Sequence, residues 1–205
     1  MSEKYIIRVV IIGQEGHGRT TLTVALGEFQ RVRGRARHTN FDQLDQAQME
    51  TIAGNTFKIS RLGLETERYR YEIVDCPTHS DCLTFLSLAA SNIAGAILVV
   101  SATDGVMPHT TEQLQQVHRL GLDLPIVYLN MCDQVDDDDA LSMVEDEVRA
   151  CLDRVGYDSH RTVIVRGSAL QALNGEDSDL QLGQSSILKL LQAMDESFPS
   201  LVSSS

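Results

Sequence analysis

Apolar runs alternate along this chain with segments in which apolar residues recur at helical spacing. The apolar runs Tyr5–Ile12, Thr56–Thr66, Tyr69–Val74, Ala96–Ser101, Ile126–Asn130 and Thr162–Arg166 predict strands. The periodic segments Thr20–Arg31, Cys82–Ser91, Thr110–Leu120, Asp138–Val155 and Ser185–Ser197 predict helices. Ala96-Ile97-Leu98-Val99-Val100 has no polar alternation, which is the pattern of a parallel strand covered on both faces. Thr56–Thr66 and Tyr69–Val74 are separated by two residues and predict a hairpin that adds an antiparallel edge. Strands alternating with helices predict an open α/β sheet. The segment 34–55 is polar and aperiodic and too long for a simple connector, so it is expected to be a functional or mobile element. The expected organisation is one domain over 1–200 followed by a disordered serine-rich tail over 201–205.

Composition narrows the partners. A chain of 205 residues suits one domain with a real core. The net charge is −12, and most of the acidic surplus follows residue 130, which argues against an extensive grip on a nucleic-acid backbone. The one basic cluster, Arg31-Val32-Arg33-Gly34-Arg35-Ala36-Arg37, is expected to be a solvated helix end and loop. The four cysteines, Cys76, Cys82, Cys132 and Cys151, show no C-x-x-C spacing, so neither a disulfide framework nor a zinc site is expected and a reducing cytoplasm is the simpler setting. Arg8 interrupts the first apolar run, so no signal peptide is expected. Ile93–Val100 is too short to span a bilayer, and no membrane partner is expected.

Four predicted strands end in chemically pointed sequences, on the rim where open α/β sheets bind ligands. Ile12 leads into Gly13-Gln14-Glu15-Gly16-His17-Gly18-Arg19-Thr20, followed by Thr21 and a helix start. Strand, glycine-rich turn and helix is the setting in which G-x-x-x-x-G-K-[ST] cradles phosphate: converging backbone N–H groups and the helix N-terminus favour an anion. Arg19 fills the lysine slot, and the Thr20 hydroxyl stands where it would reach Mg2+ on a nucleotide. Val74 leads into Asp75-Cys76-Pro77-Thr78-His79; Asp75 suits a carboxylate that holds a metal-bound water, and His79 is placed to orient an attacking water. Leu129 leads into Asn130-Met131-Cys132-Asp133. The Asp133 carboxylate can accept from both N1–H and the exocyclic amine of guanine, a donor pair that adenine lacks. Arg166 leads into Gly167-Ser168-Ala169-Leu170, where a backbone N–H could meet the guanine carbonyl oxygen or simply turn strand into helix.

Together these motifs resemble the GTP-binding domain of bacterial elongation factor Tu, a family of translational GTPases. The likeness runs from about Lys4 to Pro199 and includes Phe41-Asp42-Gln43-Leu44-Asp45, Ala102-Thr103-Asp104-Gly105-Val106-Met107-Pro108 and Val165-Arg166-Gly167-Ser168-Ala169-Leu170. It implies a P-loop NTPase G domain with a six-stranded, mostly parallel sheet and helices on both faces. It also implies GTP or GDP with Mg2+ as ligand, Thr56 as a switch hydroxyl on the metal, and His79 as the catalytic histidine. The ribosome or translation factors are the implied partners. In this family two further β-barrel domains hold aminoacyl-tRNA; the chain stops shortly after Pro199, so it is not expected to deliver aminoacyl-tRNA alone.

The departures surround the phosphates. The family's G-H-V-D-H-G-K-T is G-Q-E-G-H-G-R-T here, D-C-P-G-H is D-C-P-T-H, and N-K-C-D is N-M-C-D. Arg19 keeps the charge but is planar and bulkier than lysine. Thr78 resists backbone angles that glycine permits. Met131 lacks the ammonium that braces the loop, and Asn55 and Glu15 replace apolar residues flanking the histidine. The expectation is weak nucleotide binding with slow GTP hydrolysis. The alternatives are an impaired G-domain-like interaction module that binds nucleotide weakly or not at all, a degenerate product that binds nothing well, and, most distant, an ATP-using P-loop enzyme.

Overall fold

Ile7, Val9 and Ile11 pack to one side of β1 (Ile6–Gly13) and Val10 and Ile12 to the other, and all five are buried. That double burial sets the architecture, because a strand with two apolar faces needs helices on both. The computed structural model describes residues 6–33, 48–75, 79–122, 126–177 and 181–198. In chain order the remaining elements are α1 (Arg19–Val32), β2 (Gln48–Ile52), β3 (Asn55–Glu65), β4 (Arg70–Asp75), α2 (His79–Ala89), β5 (Gly95–Ser101), α3 (Pro108–Arg119), β6 (Ile126–Asn130), α4 (Asp138–Val155), β7 (Ile164–Arg166), α5 (Ala169–Leu173) and α6 (Gln184–Ser197).

The strands form one sheet in the order β2-β3-β4-β1-β5-β6-β7. Pairing is parallel from β4 through β7 and antiparallel at β2–β3 and β3–β4, so the expected hairpin edge is present. On one face Val10, Ile12, Leu98 and Val100 meet Phe85 of α2, Leu114 of α3 and Leu152 of α4. On the other, Val9, Ile11, Ile97 and Val99 meet Leu22 and Leu26 of α1 and Leu190 and Met194 of α6. β5 is buried at every position, as its unbroken apolar run predicts.

The sheet has seven strands, not the expected six. The extra strand, Gln48–Ile52, lies within the segment read as an irregular loop. It is an edge strand in which Ile52 packs against the core while Met49 points largely into solvent. Its turn to β3 is Ala53-Gly54, both at positive φ (49° and 83°). Two-residue hairpin turns of that kind usually carry Asn-Gly or Asp-Gly, so alanine hides the signal. Residues 34–47, the Phe41–Asp45 motif and the serine-rich tail over 201–205 lie outside the described residues.

Two contacts tie α6 to the sheet. The Asp195 carboxylate accepts from Thr66 Oγ1 at 2.9 Å and from Tyr71 Oη at 2.8 Å. Burial, with Asp195 adding to it, pushes the Tyr71 phenol far up, so it stays a neutral donor. Beyond α6, the fully buried Phe198 ring packs against Gly95. The basic cluster behaves as expected where it is described: Arg31 pairs with Glu28, and the Arg33 guanidinium lies 4.3 Å from the Phe29 ring centre. Cys82, Cys132 and Cys151 are free and buried. Among the described residues no helix is long and apolar enough to cross a membrane.

Candidate functional site

The sheet register sets the four expected strand ends along one rim. Ile11 pairs with Asp75, Gly13 with Val99, Ser101 with Asn130, and Leu129 with Arg166. Each loop that leaves those ends therefore starts from a fixed height above the core.

The glycine loop runs from the end of β1 to the first turn of α1. Gly18 caps α1 in the left-handed conformation, with φ 86°, and a side chain there would place Cβ 2.3 Å from Asn130 Nδ2. Only glycine lets the loop lie this close to the β6 end. Glu15 and Gly16 are exposed, Gln14 and Thr21 are half-buried, and His17 is buried at 1% exposure. The His17 imidazole lies 3.6 Å from Asp104, yet burial outweighs that attraction and holds its pKa below the ordinary value.

Asn130 fastens three of the strand ends together. Its Nδ2 donates to the His17 carbonyl at 2.9 Å, and its Oδ1 accepts from the Ala169 N–H at 2.9 Å. The Ser168 N–H donates to the Leu182 carbonyl at 2.6 Å. The two N–H groups offered by Ser168-Ala169 are thus engaged with the protein, and the bond expected for a base carbonyl is spent on Asn130. Leu170 follows in the first turn of α5, with its side chain 55% exposed.

Met131 turns the chain with φ 62°, and the short turn Cys132–Gln134 follows. Its sulfur accepts from Ser101 Oγ at 3.5 Å, and its methyl lies over Gly18. An apolar cover thus stands where the family's ammonium braces the loop. Asp133 is exposed beside it on the rim.

At the β4 end, Asp75 is 3% exposed. Thr20 Oγ1 donates to its Oδ2 at 2.8 Å, while Oδ1 is buried without a hydrogen-bond partner. The Arg19 guanidinium, itself 7% exposed, comes within 3.9 Å of that Oδ1. A carboxylate and a hydroxyl are the oxygen donors that suit Mg2+, which takes one or two protein ligands and fills the rest with phosphate and water. Alone, the orphaned Oδ1 would suit such a role, but the guanidinium beside it already sets a positive charge there, so the donor set does not fit a divalent cation.

One expected residue, Thr56, is not brought into this group. Ser60 pairs with Asp75, so Thr56, four positions earlier along β3, stands about 13 Å beyond it at about 3.3 Å per residue. Thr56 is exposed and its hydroxyl is hydrogen-bonded to Thr51 across the β2–β3 ribbon at 3.1 Å. His79 opens α2 directly after the β4 end, but its side chain lies outside the described residues, as do Cys76, Pro77 and Thr78.

One site residue escaped the sequence reading. Gln113 is fully buried on α3, and its Oε1 accepts from the Gly13 N–H at 2.6 Å, holding the start of the loop. Its signal was available: Thr110, Gln113, Leu114 and Val117 form the buried stripe of α3, and a glutamine in such a stripe needs a polar partner.

A glycine loop, a hydroxyl on a strand-end carboxylate and an exposed Asp on an Asn-anchored loop thus occupy one rim. The family model for the elongation factor Tu GTP binding domain matches residues 4–200. The chain belongs to the elongation factor Tu GTP-binding domain family.

Proposed function

We propose that this chain binds GTP and GDP and hydrolyses GTP slowly, in a cytoplasmic role linked to translation elongation through the ribosome or translation factors. The observation that carries this is the Asn130 clamp, which joins the phosphate loop to the loop that exposes Asp133. A base held at Asp133 and phosphates held at Gly13–Thr20 are then positioned by one shared brace. Backbone N–H groups of the loop and the start of α1 favour the phosphates, and Thr21 lies on that first turn. Thr20 and Asp75 are the oxygen donors that a metal on the phosphates would need, and the Arg19 guanidinium stands beside them. His79 is assigned the orientation of the attacking water, and Thr56 would join the metal only if the β2–β3 ribbon opened.

Exposed Glu15 at the loop mouth and the apolar Met131 brace favour a second reading, an interaction module that binds nucleotide weakly or not at all. Equilibrium titration with a fluorescent GDP analogue, displaced by unlabelled GTP, separates the two. Saturable, displaceable binding supports the first reading, and its absence at millimolar nucleotide supports the second. In the same preparation, GTP turnover is expected to fall at least about tenfold in His79→Ala. Equal rates would remove the histidine from the chemistry.

A further inference from the structure

We infer that the Arg19 guanidinium takes over the charge-neutralising place of the divalent cation, so that guanine nucleotide binds here with little dependence on Mg2+. This rests on the nucleotide-binding reading above. In the phosphate-loop pattern the slot holds lysine, a compact point charge that reaches the β- and γ-phosphates. Arginine is longer and planar, and in this chain it is turned inward: the side chain is 7% exposed and its Nη1 lies 3.9 Å from Asp75 Oδ1. The other oxygen of that carboxylate already accepts from Thr20 Oγ1 at 2.8 Å. The carboxylate and the hydroxyl that would hold a hydrated cation are thus tied to each other, and a positive charge stands at the oxygen left over.

A divalent cation entering between Thr20 and Asp75 would meet the guanidinium within a few ångströms, where like charges repel. A guanidinium carries five N–H donors in a fixed fork, enough to face a carboxylate along one edge and phosphate oxygens along another. Arg19 is in this sense a cation supplied by the chain, placed at the seam between the phosphate loop and the β4 end.

The test is GDP binding to the full chain, measured by calorimetry in buffer with excess Mg2+ and again with EDTA. In the wild type the two dissociation constants are expected to agree within about threefold. In Arg19→Lys, which returns a shorter point charge, EDTA is expected to weaken GDP by about tenfold or more. Mn2+ supplies an independent readout: its electron paramagnetic signal with GDP present should remain that of free ion in the wild type and broaden on binding in Arg19→Lys. This wild-type arm stands even if the variant does not fold. A wild-type loss of tenfold or more on EDTA, or tight Mn2+ in the wild-type complex, overturns the inference while leaving nucleotide binding intact. No GDP binding by folded chain in either buffer overturns the nucleotide reading and this inference with it.

Discussion

The side-chain amide of Asn130 donates to the carbonyl oxygen of His17 at 2.9 Å, joining residues 113 positions apart in the sequence. The same side chain accepts from Ala169, so one 2% exposed residue satisfies the backbone of two loops. Asn130→Ala strands both partners. Leaving the buried Ala169 N–H unpaired is expected to cost about 1–3 kcal/mol of stability, read as a lower urea midpoint with an unchanged slope. GDP affinity should fall with it, because the loop and Asp133 lose their common anchor. An unchanged midpoint would mean that the clamp contributes nothing.

Gly95 offers a test of the packing. A Cβ there would lie 2.2 Å from the Phe198 ring, which is fully buried and sits edge-on to Tyr71. Gly95→Ala is expected to destabilise by about 1–3 kcal/mol, through displacement of the ring. Combining it with Phe198→Leu should recover part of that loss in the same denaturation measurement, since the two positions share one space.

His17 sets a pH dependence. Its folded pKa lies below the ordinary value of 6.5, mainly because burial disfavours the imidazolium. The unfolded chain therefore binds more protons than the native one over that interval, and stability rises with pH there. As pH falls through 6.5 and then through the lower folded value, stability should be lost, and binding of anions at the loop should change with it. His17→Gln is expected to flatten the slope of unfolding free energy against pH just below 6.5. An identical slope in the variant would place the titration elsewhere.

Much of this was legible from residue patterns. The unbroken apolar run of β5 predicts a strand buried on both faces, and its full burial follows. α4 is found over Asp138–Val155, the same span its periodicity predicts, where Asp137 caps it and Gly156 ends it in the left-handed conformation. β2 was not legible, because an edge strand that meets the core through Ile52 carries little apolar pattern and Ala53 replaces the usual turn residue. In the site, Gly13–Thr20, Asp75 and Asp133 could be found because each follows an apolar run. The use of Asn130 as a clamp depended on how near the β6 and β7 ends come to the glycine loop. The inward turn of Arg19 toward Asp75 likewise lies in three dimensions, since a guanidinium and an ammonium occupy the same letter position in the motif.

Selectivity for the base tests the central claim most directly. The full chain should be titrated in a calorimeter with GDP, IDP and ATP under the same conditions. Asp133 is exposed on the rim, and on the proposed reading it accepts from the guanine N1–H and exocyclic amine. IDP lacks that amine and is expected to bind about tenfold or more weaker than GDP, the value of one charge-assisted hydrogen bond. ATP should give no heat at concentrations that saturate the chain with GDP. No heat with GDP at millimolar concentration, or equal affinity for GDP and ATP, would contradict a guanine-nucleotide site on this rim.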